Sequence, residues 1–341
     1  RAVKPYARGI DRLPGSIYRE SFSILEPTHI AGRLRMKTLL KRSLSWLFQK
    51  VHFFHTAPAQ SAFEFLHVAI LRLMNYGGGG EFDESGEEYL IKSVVAVWFR
   101  ESNTRTAFDV GANTGKYSLM LAGYLPEESR IYSFEPSTAA YAALTQKVSG
   151  GAYSNILPFR LGFSNEPGTA ILHTNAEGSG LASLFKRRLD HYGIEMAASE
   201  EIEVQSIDRF CHLHGIDRIG FLKLDVEGNE MRALQGAVRM MGERRIDIIQ
   251  WEFGGCNVDS RTFLQDFFYL LKDDFVVCRL LPSALCPIEQ YREKYEIYVT
   301  TNWCAISKRL LDSQLFRERV LQPNPGVRRL IKYGNNRGGQ S

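Results

Sequence analysis

The sequence predicts an α/β fold, a Rossmann-like and mostly parallel sheet with helices on both faces. Three observations predict it. From Thr106 onward, short β-branched runs alternate with helical stretches, the pattern of a parallel sheet covered on both sides. The first run ends in a glycine turn that opens a helix near Lys116. The last two strand candidates, 274–281 and 297–307, follow one another without a good helix between them, as an antiparallel closing strand would.

Taken in order, strands are expected at 106–110, 130–134, 156–161, 221–226, 246–253 and 274–281. Helices are expected between them at 116–124, 138–148, 230–241 and 261–271. Residues 169–174 and 201–207 read as extra strands separated by a polar segment. Upstream, 77–80 is a glycine run, 81–88 is acidic, and 89–99 is apolar at helical spacing. The stretch 63–74 is apolar but short, and it carries Glu64, His67 and Arg72. It reads as a packed helix, since a membrane span needs about 18 or more apolar residues. Residues 37–55 can form a basic amphipathic helix, for which docking on the catalytic domain is favoured over a membrane surface. The chain opens with Arg1, and Met36 begins a segment that reads as a translation start. The expected division is therefore a loose leader or readthrough at 1–35, a helical N-terminal extension at 36–88, a catalytic domain at 89–310, and a C-terminal helix with a loose basic tail at 311–341.

The composition is that of a globular protein: 341 residues, 44% apolar and 23% charged. The net charge of +4 gives no argument for nucleic acid. Its distribution is uneven. Residues 1–60 hold eleven Lys and Arg against Asp11, Glu20 and Glu26, and the stretch from Lys308 holds eight against Asp312 and Glu318. Taking both ends from the totals of 42 and 38 leaves an acidic middle of 23 basic and 33 acidic residues. The basic ends read as solvated termini ahead of a contact with an anionic surface. Cys211, Cys256, Cys278, Cys286 and Cys304 form no CxxC pair. An odd, scattered set fits free thiols in a reducing cytoplasm.

The strongest local signal is Phe108-Asp109-Val110-Gly111-Ala112-Asn113-Thr114-Gly115-Lys116. Gly111 and Gly115 bracket a tight turn between strand and helix, where the backbone can approach a ligand. A dinucleotide fold wants a third glycine where Asn113 stands, because pyrophosphate needs several free N–H groups. An Asp at the strand end would repel pyrophosphate. It suits S-adenosylmethionine, which carries an ammonium and a sulfonium and no phosphate. Glu135 ends the next strand, twenty positions after Gly115, where an acid accepts hydrogen bonds from ribose hydroxyls.

The second strong signal is Phe221-Leu222-Lys223-Leu224-Asp225-Val226-Glu227-Gly228-Asn229-Glu230. Period-two alternation delivers Lys223, Asp225 and Glu227 to one face at the carboxyl end of a buried strand, where open α/β sheets bind ligands. Several carboxylates there are costly without a cation, a partner or a shared proton. One of them can orient or deprotonate an acceptor hydroxyl, and others can hold substrate. Glu230 reads equally as a helix cap. Glu252 ends the following strand at the rim, where a structural ion pair is nearly as good a reading, and Lys223 can simply neutralise the acids. No spacing requires a metal, although Asp225, Glu227 and Glu252 could offer oxygens to Mg²⁺. His173, His191, His212 and His214 show no metal or triad spacing and read as structural.

These segments, with Leu161-Gly162-Phe163-Ser164-Asn165, Ser206-Ile207-Asp208 and Leu234-Gln235-Gly236-Ala237, resemble the FkbM-type methyltransferase family over about residues 100–275. The resemblance implies a class I methyltransferase domain with a seven-stranded sheet, using S-adenosylmethionine to methylate hydroxyls of sugars, polyketides or similar small metabolites. It implies cofactor contacts from Asp109, Gly111, Asn113, Gly115, Glu135 and the 161–165 segment including Gly162. It also implies a reaction centre faced by Asp225 and Glu227. Residues 1–85 match nothing in that pattern. Two rivals remain: an NAD(P)-dependent oxidoreductase, against which Asp109 and Asn113 argue, and a methyltransferase-fold binding module without turnover.

Overall fold

The computed structural model describes residues 52–77, 81–151 and 153–334, together with Arg42 and Trp46. The expected leader at 1–35 and most of the helix expected at 37–55 lie outside the described residues; His52–His55, at the end of the latter, is a 3-10 turn. The chain divides into two compact units, Arg1–Leu66 and His67–Ser341. Helix α1 is Ala57–Leu73. Within the first unit the rings of Phe54 and Phe63 lie 5.8 Å apart. In the second, Leu71 packs on the core, but Val68, Ile70 and Leu73 are exposed, so the stretch expected as a packed helix is packed only in part. Among the described residues no helix is long and apolar enough to cross a membrane.

The second unit holds an eight-stranded sheet in the order β10-β9-β11-β8-β7-β1-β2-β3. Its strands are β1 (Thr106–Val110), β2 (Arg130–Phe134), β3 (Ile156–Phe159), β7 (Ile219–Leu224), β8 (Ile246–Phe253), β9 (Phe275–Leu281), β10 (Ala284–Pro287) and β11 (Thr301–Ser307). The pairs among β3, β2, β1, β7 and β8 are all parallel. Strand β11 inserts antiparallel between β8 and β9, the closing strand expected. The eighth strand is β10, a short antiparallel partner on the edge of β9. Four residues ending in Pro287 carry too little pattern to announce it, and proline fits an edge position because it offers no N–H to the ladder.

A core lies on each side of the sheet. Phe108, Val110, Phe134, Leu224 and Trp251 face one, together with Phe210 of α5 (Ile207–Leu213), Leu234 of α6 (Glu230–Gln235) and Phe267 of α9 (Leu264–Leu271). Ala107, Ile131, Phe221 and Ile248 face the other, with Trp98 of α2 (Ala96–Glu101) and Tyr117 and Leu121 of α3 (Lys116–Tyr124). Helix α4 (Thr138–Val148) follows β2. Apolar residues on both faces of the central strands are what a sheet covered on both sides requires.

Local chemistry explains the shifted boundaries. The strand expected over 156–161 stops at Phe159, and Gly162–Phe163 (β4) joins β5 (Gly168–Thr174) and β6 (Ala198–Gln205) in a separate three-stranded sheet. The strand expected over 201–207 ends at Gln205 because Ser206 caps α5, its Oγ accepting from the Arg209 N–H at 3.3 Å. The helix expected over 230–241 splits into α6 and α7 (Val238–Gly242). A Cβ at Gly236 would stand 2.3 Å from the Ser164 carbonyl oxygen, so the chain passes too closely there for another residue. Asp208 then caps α7, accepting from the Arg239 and Met240 N–H groups at 2.8 and 2.9 Å. The helix expected from 261 starts at Leu264, after α8 (Gly255–Ser260).

Candidate active site

The parallel register sets two rows of residues across the middle of the sheet. Asp109 pairs with Ser133 on one side and Lys223 on the other, and Lys223 pairs with Gln250. One residue further along, Val110 pairs with Phe134 and Leu224, and Leu224 pairs with Trp251. At the next position Gly111, Glu135 and Asp225 have left the ladder, while Glu252 is still paired with Asn302 of β11, and the four mark the carboxyl edge of the sheet.

The first row forms a polar floor. Ser133, Asp109, Lys223 and Gln250 are all buried. The Lys223 ammonium lies 3.4 Å from Asp109 Oδ1, 3.1 Å from Asp225 Oδ2 and 4.5 Å from the centre of the Tyr117 ring. Ser118 Oγ donates to Asp109 Oδ2 at 2.6 Å. Tyr117 donates to Gln250 Oε1, Gln250 Nε2 donates to Glu87 Oε1 at 2.7 Å, and Ser85 Oγ donates to Glu87 Oε2 at 2.9 Å. Burial works to discharge Lys223, but Asp225, Asp109 and Glu87 override it and hold its pKa above the usual lysine value. Burial raises the Glu87 carboxyl, with Lys223 opposing.

Beyond the apolar second row, the residues at the carboxyl edge form an acidic rim around a cleft of about 290 Å³. Its lining holds Glu135, Asp225, Glu227 and Glu252, and among the described residues no Lys, Arg or His. Leu172, Ile202 and Gly162 of the small sheet form an apolar wall. The Gly111 turn can exist only with glycine: a Cβ there would lie 1.8 Å from the Asp225 carbonyl oxygen, and φ is +82°. Asn113, at φ +46°, turns its N–H to Glu135 Oε2 at 2.8 Å. Ser137 N–H donates to Glu135 Oε1 at 2.8 Å. Burial raises Glu135 to about 7 against these two bonds. Each of its oxygens retains a lone pair for a further donor.

Of the residues singled out from the sequence, Gly111, Asn113, Glu135, Gly162, Asp225, Glu227 and Glu252 line this one cleft. Asp109, Lys223 and Gly115 do not. Asp109 is fully buried in the floor with its charge spent on Lys223, and Lys223 lies beneath Asp225. Gly115 caps α3 behind the turn, against Leu144. Glu230 is fully buried; its Oε1 accepts from the Val226 and Gly228 N–H groups at 3.0 and 3.1 Å and ties the 225–229 loop. That favours the capping role.

Two groups were not legible as site residues. The segment 175–197 crosses the rim, and Ser183 Oγ donates to the Glu227 carbonyl at 2.6 Å. Arg187, with a side chain only 9% exposed, pairs with Glu227 and, at 3.8 Å, with Asp259. Glu227 is held at φ +51° and Gly228 at +105°. A non-glycine residue in that region is strained by about 1–3 kcal/mol, a feature that concentrates at functional sites. Burial, with Asp225 adding to it, raises Glu227 to about 8. Burial, then Asp225 and Glu227, push Glu252 well above the usual carboxylate range, and its side chain has no hydrogen-bond or ion-pair partner among the described residues.

Comparison with known proteins fits this geometry. Residues 109–272 match the methyltransferase FkbM domain. Methyltransferase sdnD of Sordaria araneosa is 26% identical over 184 residues, which cover 46% of this chain and 71% of that protein. Among solved structures, a putative O-methyltransferase from Klebsiella pneumoniae aligns over 62% of this chain and 77% of its own at 8% identity, with a TM-score of 0.36. The O-methyltransferase TomG from Streptomyces achromogenes aligns over 65% and 79% at 11% identity, also with a TM-score of 0.36. A putative rRNA methylase from Clostridium thermocellum aligns over 64% and 92% at 12% identity, with a TM-score of 0.34. The family match covers residues 109–272, a little under half of this chain, and takes in the glycine turn and the acidic strand ends described above.

Proposed function

We propose that the chain is an S-adenosylmethionine-dependent O-methyltransferase acting on a hydroxyl of a sugar, polyketide or similar small metabolite. The composition of the cleft carries this reading: four carboxylates and no basic side chain among the described residues. A pyrophosphate would meet repulsion there, whereas a cationic nucleoside meets attraction. Gly111 and Asn113 let the ligand approach the turn. Glu135 is placed to accept from ribose hydroxyls, and the apolar wall around Gly162 suits the adenine.

The cofactor supplies an electrophilic methyl group. What remains for the protein is to place an oxygen in line with it and to take its proton, so positioning supplies much of the rate. Asp225 is the best-placed group for the proton. Its side chain is 39% exposed, and Lys223 fixes Oδ2 from below, which leaves the other oxygen to the cleft. Lys223 acts as a positioning residue. Glu227 and Glu252 border the acceptor end.

Isothermal titration with S-adenosylhomocysteine tests the reading, with NADH as the competitor. Binding of the first and indifference to the second is the expected result. The reverse would establish the oxidoreductase alternative. Transfer of a labelled methyl group into a metabolite pool then separates an enzyme from a binding module.

A further inference from the structure

The acids at the far end of the cleft are not balanced by the chain's own cations. Lys223 is committed to Asp109 and Asp225, and Arg187 to Glu227 and Asp259. Glu252 keeps no partner among the described residues. The second oxygen of Glu230 is buried and makes no hydrogen bond, although its residue is fully enclosed. Glu252 is half-buried at the cleft and Glu230 is buried, and a carboxylate taken out of water without a partner is costly unless a cation or a proton reaches it.

A thiol stands among them. Glu252 is the last residue but one of β8, and the Gly254-Gly255 turn folds the chain back so that Cys256, in the first turn of α8, faces the same point. Asn257 pins that turn, its Oδ1 accepting from the Gly254 N–H at 2.8 Å and from the Cys256 thiol at 3.5 Å. Cys256 is buried. One ligand atom from each of Glu227, Glu252 and Cys256 can be chosen so that all lie within 4.8 Å of one another.

We propose that Glu227, Glu252 and Cys256 form a three-ligand site for a thiophilic divalent ion such as Zn²⁺, with a fourth position open to the cleft. Tetrahedral zinc with two oxygens and one sulfur sets its ligand atoms about 3.5 Å apart, so the groups must close by on the order of 1 Å. Arg187 occupies one oxygen of Glu227 and leaves the other to the ion, the outer-sphere support that ligating carboxylates commonly have. Binding displaces the thiol proton to solvent. The donor set selects against Mg²⁺, which requires near-octahedral oxygen. It also replaces Asp225, held by Lys223, with Cys256 among the three oxygen donors considered from the sequence. An acceptor hydroxyl at the open position would be polarised beside Asp225. That role rests on the methyl-transfer reading; the binding of the ion does not.

Co²⁺ titration of the chelator-treated full chain reads the site directly. The expected result is one equivalent with a thiolate-to-cobalt charge-transfer band and intense tetrahedral visible bands, both bleached by Zn²⁺. Cys256→Ser should abolish the charge-transfer band, and Glu252→Gln should weaken Co²⁺ binding by more than about tenfold. Circular dichroism confirms that each variant is folded. A wild-type spectrum without the thiolate band overturns the proposal, as does a band that survives Cys256→Ser and vanishes in Cys286→Ser. S-adenosylhomocysteine binding by the metal-free wild type is measured alongside. Its loss would sink the methyl-transfer reading and leave the cobalt result to stand or fall alone.

Discussion

The floor and the rim of the site lie two residues apart on the same four strands, and they treat charge in opposite ways. In the floor, every charge has an opposite partner within 3.4 Å or a hydrogen-bonded amide or hydroxyl. At the rim, Asp225 has one ion-pair partner, Glu135 only backbone N–H donors, and Glu252 none among the described residues. The floor is built to be finished on folding. The rim is left for something that arrives later. A fold that carries both on the same strands can confine instability to the surface that binds.

The largest test of that contrast removes the floor's cation. Lys223→Met leaves the fully buried Asp109 without its ion-pair partner. Breaking a buried pair from one side costs about 3–5 kcal/mol, which denaturant unfolding will show as a lowered midpoint at unchanged slope. Adding Asp109→Asn should recover part of the loss. A Lys223→Met variant within about 1 kcal/mol of wild type would mean that the floor is not a closed electrostatic unit.

At the rim the effect should move from stability to rate. Asp225→Asn keeps the shape of the side chain and removes a partly exposed charge, so its unfolding free energy should change by no more than about 1 kcal/mol. Methyl transfer should fall by roughly 10²–10⁴-fold if Asp225 takes the acceptor proton. Equal loss of stability and rate would erase the distinction between the two rows. A fall in rate that is restored at high pH would point to Glu252 or Glu227 as the group that takes the proton.

The contrast was half legible in the sequence. The strand-turn-helix around Gly111, Glu135 at the next strand end, and an acid at the carboxyl end of a buried strand were readable, because each rests on local period and turn chemistry, although the strand expected over 221–226 stops at Leu224, one residue before Asp225. Which rows they would form was not, since interstrand register is a property of the assembled sheet. For that reason Asp109 read as a cofactor contact and proved to lie beneath the cleft. Glu87 and Gln250 went unnoticed because a buried amide within an apolar strand and an acid in an acidic stretch look ordinary until Tyr117 and Lys223 join them. Arg187 and Ser183 come from a long segment without periodicity, the kind of loop whose contacts only tertiary structure can place.

A middle-sized effect separates recognition from charge alone. Glu135→Gln retains an acceptor oxygen but loses the charge. Hydrogen bonds to charged groups contribute about 1.5–3 kcal/mol against about 1 for neutral ones. Affinity for S-adenosylhomocysteine should therefore drop by roughly tenfold in titration calorimetry, with turnover at saturation changed far less. A wild-type affinity in this variant would show that the ribose is held elsewhere on the rim.

The smallest effect is a pH dependence that the rim should show and the floor should not. Burial raises the Glu135 carboxyl from 4.5 to about 7. Between those values the folded protein holds a proton there that the unfolded chain has released. Its contribution to stability is complete below pH 4.5 and is lost as the pH rises through about 7. One such group changes stability by at most about 1.4 kcal/mol per pH unit. The melting temperature of the ligand-free protein should thus decline across this window, and Glu135→Gln should flatten that part of the decline. A ribose hydroxyl donating to the carboxylate favours its charged form, so S-adenosylhomocysteine should bind more tightly as the pH rises through the same window. If instead its affinity is level there and Glu135→Gln melts with the wild-type pH profile, Glu135 is already ionised and closed by Asn113 and Ser137, and belongs with the floor rather than the rim.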